Sequence, residues 1–396
     1  MENGQLMHPE EYLFYNTVRI RDIELLTGLE FFTDRTVWSL DVALRLRTAI
    51  NEELWQLEEL RAGETGGLIR LFPKLSKKNV SKPLFKLGDK VGNRWIINGM
   101  IGSGGYGQIY YAIDERSEEQ LGVAIKTESK IRKGKTSKRM ILEQKVLLRL
   151  QGRSHAPLMW GSGSTSKVNY IIMQLLSKNL SDIRKQSPYK RFSRSTTGRI
   201  LIQGIAGLRD LHHIGYIHRD VKPQNICFGL TEVSKHRLIF VDFGLARRYR
   251  YNNGQIRPLR EGCGFRGTTI YASLRSHEGM DLGPADDLIS LYYSAIEMVR
   301  GSVPWKRSLH SSDIKMAKFQ MQEDDFRAVS KYVGEGFREL GRAVTCMDAD
   351  DEPNYYELQK IMMEFTANRP LSDPYDWDND FEEVLQENHL NRHLRF

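Results

Sequence analysis

The run His218-Arg219-Asp220-Val221-Lys222-Pro223-Gln224-Asn225 sets a carboxylate, an ammonium and an amide within six residues. A carboxylate such as Asp220 can orient a hydroxyl and take its proton, while Lys222 can offset negative charge on a group being transferred. Asn225, together with Asp242 of Asp242-Phe243-Gly244, offers hard oxygen donors of the kind Mg2+ takes when it bridges phosphates. Upstream, Gly102-Ser103-Gly104-Gly105-Tyr106-Gly107-Gln108-Ile109 brings glycines to a turn where backbone N–H groups can approach phosphate oxygens without a Cβ in the way. Lys126, in Val123-Ala124-Ile125-Lys126, can hold the α- and β-phosphates, and Glu143, 17 residues on, can fix that lysine as an ion pair. Together these residues spell transfer of a phosphoryl group from Mg-ATP.

Each motif has a plainer reading. The glycine run alone fits a simple turn or a dinucleotide loop, but a dinucleotide loop opens a helix and here a strand follows. A lysine and a glutamate at this distance are usually surface residues, and only the ordered set makes them specific. Gly134-Lys135-Thr136 resembles the end of a phosphate-binding P-loop, yet Ser129 stands where that loop needs glycine. His212-His213 are adjacent on a helix and point in different directions, so a core or surface role is expected rather than metal ligation.

The elements that must position these residues fall into two parts. Short apolar runs at 95–101, 108–113, 122–126 and 170–175 predict strands of an antiparallel sheet. Between them, Ile141, Leu142, Val146, Leu147 and Leu150 predict one helix over 137–150. Beyond residue 180 helical patterns dominate, as at 196–213 and 288–299. The expected fold class is α+β and bilobal, a small antiparallel β lobe with one helix and a larger, mainly α-helical lobe. The boundaries are a β-rich N-lobe at 94–176, a helical C-lobe at 177–378 and a tail at 379–396. Residues 1–62 form an extension with an amphipathic helix near 40–60, and 63–93 a basic linker. The linker lysines lack interleaved aromatics, so a solvated connector is favoured over a nucleic-acid patch.

With 40% hydrophobic and 27% charged residues, the 396-residue chain has a globular composition and no apolar run near the ~18 residues of a membrane span. No secretory signal opens it. Cys227, Cys263 and Cys346 are too widely spaced for a disulfide framework or a zinc site. Residues 1–93 carry 13 basic and 14 acidic residues, so of the net charge of +8 the remainder carries +9, which favours anionic partners: nucleic acid, acidic protein, nucleotide or phosphorylated substrate. A cytoplasmic or nuclear location is the expectation, and charge alone does not choose among these partners.

On these motifs the sequence is similar to eukaryotic protein kinases over about 91–377. It resembles the casein kinase I superfamily, and within it the tau-tubulin kinase branch. The resemblance is carried by Gly267-Thr268-Thr269-Ile270-Tyr271-Ala272-Ser273 in place of the usual Ala-Pro-Glu, and by Asn169 to Leu175. Gly264 to Gly267, Asp286-Asp287-Leu288, Pro304-Trp305 and Asp373 to Trp377 add to it. It implies a Ser/Thr kinase using ATP and Mg2+, a monomer that acts on protein and binds neither nucleic acid nor membrane. Met173 would be the gatekeeper, Gln174, Leu175 and Leu176 would contact adenine, and Cys227 would form the floor of its site. Ile101, Ile109 and Ala124 join Gly102 to Gly107 as further ATP-binding positions. Arg219 would receive an activation-loop phosphate on Thr268 or Thr269, although the resemblance implies activity without one.

Two departures matter. Ile270 stands where the family has an arginine of its anion pocket, and Arg275 replaces an asparagine. Seven arginines between 245 and 275, against Glu261 alone, keep a preference for acidic or phospho-primed substrates open. Pairing of those arginines with the chain's own groups is the equal alternative. Residues 13–56 resemble the closing segment of the nuclease-like domain of ectonucleotide pyrophosphatase/phosphodiesterases. The catalytic residues of that family lie in another domain, so hydrolase activity is not implied, and a gene-model join and a docking appendage both stay open. The alternative to a kinase is an ATP-binding pseudokinase that recruits partners through its basic face.

Overall fold

The computed structural model describes residues 17–19, 37–39, 82–104, 107–117, 122–132, 135–187 and 189–378. These divide after Leu176 into two compact units, the second interrupted by Leu230–Ser234, which group with the first. Apart from two short paired strands, β1 (Thr17–Arg19) and β2 (Val37–Ser39), the N-terminal extension and its expected helix lie outside the described residues.

The first unit is built on a six-stranded antiparallel sheet. Its strands are β3 (Lys90–Val91), β4 (Trp95–Gly104), β5 (Gly107–Asp114), β6 (Gly122–Ser129), β9 (Met159–Ser164) and β10 (Val168–Gln174), in the order β3-β4-β5-β6-β10-β9. A small hairpin, β7 (Ile131–Arg132) with β8 (Lys135–Thr136), leads from β6 toward helix α1 (Arg139–Leu150). In β5 the buried positions alternate, Gln108, Tyr110, Ala112 and Asp114, as a strand with one covered face requires. Of these, Tyr110 and Ala112 pack with Trp95, Ile97, Val123, Ile125 and Ile172 into the core of this unit. Helix α1 buries Met140, Glu143, Val146, Leu147 and Leu150, a three- and four-residue stripe that carries the charged Glu143 inward.

The lysine-rich stretch is not wholly a connector. Lys90–Val91 pairs with β4, and the Leu84 and Phe85 amides donate to the Tyr110 hydroxyl at 2.9 and 3.1 Å. Phe85 and Val91 pack against the core of this unit, so residues ahead of the expected position 94 take part in its fold.

The second unit carries helices α2 (Leu180–Gln186) and α3 (Arg194–His213), then the strands β11 (Tyr216–Ile217), β12 (Ile226–Phe228), β13 (Leu238–Phe240) and β14 (Arg247–Arg248). Six more helices follow: α4 (Leu274–His277), α5 (Pro284–Arg300), α6 (Ser311–Glu323), α7 (Arg327–Ser330), α8 (Glu335–Thr345) and α9 (Tyr355–Phe365). Helix α5 is buried on every side from Pro284 to Val299, so it is the central post of this unit. Gly204 lets α3 approach it, since a Cβ there would meet Leu291 at 2.9 Å. No helix among the described residues is long and apolar enough to cross a membrane.

Candidate active site

In the second unit the site begins at the central helix. Asp287 on α5 accepts the His218 and Arg219 amides at 2.6 and 2.8 Å and the His212 ring at 2.9 Å. Complete burial opposes its charge, but the bonds and charge of His212 and His218 outweigh burial and hold the carboxyl below its ordinary value. His212 is thus a core histidine, its other nitrogen 2.7 Å from the Tyr355 hydroxyl. Arg219 takes a left-handed conformation, φ 66°, which turns Asp220 out of the strand direction.

Asp220 is 5% exposed and both of its carboxylate oxygens are held. Lys222 Nζ donates to Oδ2 at 2.7 Å, and the Thr268 hydroxyl donates to Oδ1 at 2.7 Å. Lys222 also donates to Thr268 Oγ1 at 3.0 Å, closing a ring of three side chains. Gly267 makes this closure possible: it sits at φ +97°, and a Cβ there would lie 2.5 Å from the Arg219 carbonyl oxygen. Thr268, which the sequence offers as a phosphate acceptor, is therefore committed to the Asp220 carboxylate. Arg219, the expected phosphate partner, donates to the Leu245 carbonyl at 2.7 Å.

The two expected metal ligands flank one hairpin. Asn225 precedes β12 and Asp242 follows β13, and the Val241 amide donates to the Asn225 carbonyl at 3.0 Å. The Asn225 amide nitrogen donates to the Asp220 carbonyl at 2.9 Å, which leaves its amide oxygen as the acceptor end. Asp242 is left-handed at φ 67°, while Phe243 packs its ring 5.1 Å from His218. One amide oxygen and one carboxylate suit a hard cation that draws its other ligands from phosphates. Among the described residues no group of three or more His, Cys, Asp or Glu could hold a metal by itself. Cys227 lies in β12, and burial pushes its thiol up to about 12.

The first unit carries the nucleotide-type residues. Ile101, Gly102, Ser103 and Gly104 end β4, and Gly107 and Ile109 begin β5, with Gly102 opposite Ile109. Gly105 and Tyr106 lie outside the described residues. A Cβ on Gly107, at φ +147°, would stand 2.1 Å from the Thr127 carbonyl oxygen, so this hairpin admits only glycine there. Lys126 donates to both Glu143 oxygens at 2.7 Å. Met173 faces Ala124 across β10 and β6, and Gln174 and Leu175 are buried beyond it, with Leu176 closing the unit.

Other residues emerge only from the fold. Trp305 Nε1 donates to the Ile270 carbonyl at 2.9 Å, and the Tyr271 hydroxyl donates to Glu297 at 2.5 Å, where Arg184 also binds at 3.1 Å. Burial and then Glu297 push the Tyr271 hydroxyl well up. The arginines divide. Arg247 and Arg260 share Asp281, Arg250 pairs with Glu352, and Arg275 pairs with Asp286 and the Met347 carbonyl. Burial first, then neighbouring arginines, lower both Arg219 and Arg247 to about 10.

Comparison with known proteins agrees with this geometry. Residues 95–363 match the model of the protein kinase domain. A Caenorhabditis elegans protein named "putative casein kinase I" is 39% identical over 78% of this chain and 91% of its own length. A "probable serine/threonine-protein kinase" of Dictyostelium discoideum is 34% identical over 74% of this chain, which spans 58% of that relative. The nematode "serine/threonine-protein kinase spe-6" is 29% identical over 72% of the chain and 76% of its own length.

Proposed function

We propose that this chain, which belongs to the protein kinase family, transfers the γ-phosphoryl group of ATP to serine or threonine hydroxyls of protein substrates, in the manner of a casein kinase I-like enzyme. The observation that carries the reading is the ring of Asp220, Lys222 and Thr268. Asp220, fixed from two sides, orients the acceptor hydroxyl and takes its proton as the new O–P bond forms and the bond to ADP breaks. Lys222, already on Asp220 and Thr268, retains a third N–H for the charge of the transferred group. The Lys126–Glu143 pair holds an ammonium ready for the α- and β-phosphates. Asn225 and Asp242 are the residues that would hold Mg2+, which supplies charge neutralisation along the phosphates. Met173, Gln174, Leu175, Leu176 and Cys227 are assigned to adenine, and Ile101 to Gly107, Ile109 and Ala124 to the rest of ATP.

The substrates we propose are acidic or phosphorylated. What supports this is an excess of guanidinium: Arg247 and Arg260 share the single carboxylate of Asp281, and Arg219 and Arg266 add to them. Self-pairing reduces the set but does not neutralise it.

The test is Mg-ATP-dependent phosphorylation of casein, and of matched peptides with and without an upstream phosphoserine, by the full chain and its Asp220→Asn variant. A drop of at least ~100-fold, about 2.7 kcal/mol of transition-state stabilisation, is expected in the variant with ATP binding kept. ATP binding without any transfer by the wild type would favour a pseudokinase that recruits partners. Equal rates on the two peptides would remove the priming preference alone.

A further inference from the structure

Lys318, on α6, is wholly buried, and among the described residues no carboxylate pairs with it: what bears on its charge is burial. Its ammonium donates to the Thr269 carbonyl at 2.8 Å and the Ala272 carbonyl at 2.6 Å, and stands 3.1 Å from His277 Nε2. The faces of Tyr293 and Trp305 lie 5.0 and 5.3 Å from it. An ammonium has three N–H donors and no acceptor, and three acceptors converge on it here. Burial, then the Lys318 charge, lowers His277 to about 4, so its ring is neutral and Nε2 can accept while Nδ1 faces Ser311 Oγ at 3.2 Å.

A buried lone cation is costly, and a protein keeps one where its bonds fix something. What Lys318 fixes is the loop 268–273. The carbonyls of residues 269, 270 and 272 are held from below by Lys318 and Trp305, and the same loop delivers the Thr268 hydroxyl to Asp220 and Lys222. We infer that Lys318 is a positioning residue for phosphoryl transfer, setting the substrate-side loop through the Thr269 and Ala272 carbonyls and so the Thr268 hydroxyl on the catalytic pair. The inference rests on the kinase reading for its effect on turnover, but not for its effect on the loop.

Protonation gives a signature that simple packing would not. Burial lowers the Lys318 ammonium to about 7. The groups facing it are His277 from α4, Tyr293 from α5, Trp305 and the two loop carbonyls. Lys315 and Glu278 act on His277 from outside, and Asp286 and Arg275 lie near Tyr293. Above pH 7 a neutral amine has two N–H groups for three acceptors, and the loop loosens.

The experiment combines kinetics on casein between about pH 6 and 9 with amide hydrogen exchange of the segment 264–277, on the full chain. It compares wild type, Lys318→Met and His277→Phe. Lys318→Met is expected to lower kcat/KM for casein about tenfold with nucleotide affinity unchanged, to speed exchange in 268–273, and to abolish an alkaline loss of activity. His277→Phe keeps the ring beside Phe265 but removes one acceptor, so the alkaline loss moves to lower pH. This variant alters a half-buried position and decides the matter if Lys318→Met does not fold. Unchanged exchange in 268–273 and an unchanged pH profile in a folded variant would overturn the inference. Failure of the wild type to phosphorylate would overturn the kinase reading instead, with exchange still deciding what Lys318 holds.

Discussion

The Thr268 hydroxyl donates to Asp220 Oδ1 and accepts from Lys222, so one methyl-bearing alcohol bridges the two side chains proposed as catalytic. Replacing it with alanine leaves a nearly buried carboxylate oxygen without its donor, a loss of about 1.5–3 kcal/mol for a bond to a charged group. Thr268→Ala should therefore lower kcat at least ~10-fold, whereas Thr268→Ser should remain within about twofold of wild type. Thr268→Glu tests the sense of modification here: a second carboxylate beside Asp220 should abolish transfer rather than raise it. Steady-state kinetics on casein separates the three. An active Thr268→Glu would restore this residue as an activating phosphosite.

At the scale of elements, the N-terminus of α3 shows how a segment near the end of the described chain holds the helical unit. Asp376 accepts the Ser193 amide and hydroxyl and the Thr196 hydroxyl, the last two at 2.7 and 2.8 Å. One turn on, the fully buried Arg199 lies 4.0 Å from the Tyr375 ring and donates to the Pro374 carbonyl at 2.8 Å. Trp377 stacks on Tyr375 at 4.8 Å and reaches Phe228 at 5.0 Å. Residues 373–378 thus cap α3 and cover β12, the strand that follows Asn225. Asp376→Ala should cost roughly 1–2 kcal/mol, a fall of about 2–8 °C in Tm, with ATP affinity intact. Thermal unfolding with and without nucleotide checks it, and an unchanged Tm would show that the cap contributes nothing.

For the molecule as a whole, pH acts on stability through two bases, the half-buried His277 and the buried Lys318. His277 is lowered from 6.5 to about 4 and Lys318 from 10.5 to about 7, in each case first by burial. In both windows the unfolded chain binds more protons than the folded one, so stability falls as pH falls from 10.5 toward 7 and again from 6.5 toward 4. Asp287, held below its ordinary value, loses its contribution in the same direction at lower pH still. The urea midpoint should therefore decrease from pH 8 to pH 5. His277→Gln, which cannot titrate, should flatten the acid part of that curve; the same slope in both proteins would assign it to other groups.

Much of this protein is legible in its sequence because the relevant physics is local. The spacing of Asp220, Lys222 and Asn225 places three functional groups on one short loop whatever the rest does. The two-residue alternation of β5 and the apolar spacing of α1 announce their elements, but the buried face of α1 is turned from the expected one: Ile141 is exposed, while Met140 and Glu143 point inward and bring Glu143 to Lys126. Tertiary structure decided the partners. Thr268 lies 48 residues from Asp220, Lys318 lies 49 from Thr269, and Arg184 lies 113 from Glu297. No pattern along the chain couples such pairs; packing around α5 does. The same holds for the activation-segment arginines, whose number is written in the sequence but whose division between Asp281, Glu352 and Asp286 is not. A buried charge takes whatever partner the fold brings within reach, so composition fixes how many charges must be satisfied and only the fold determines by whom.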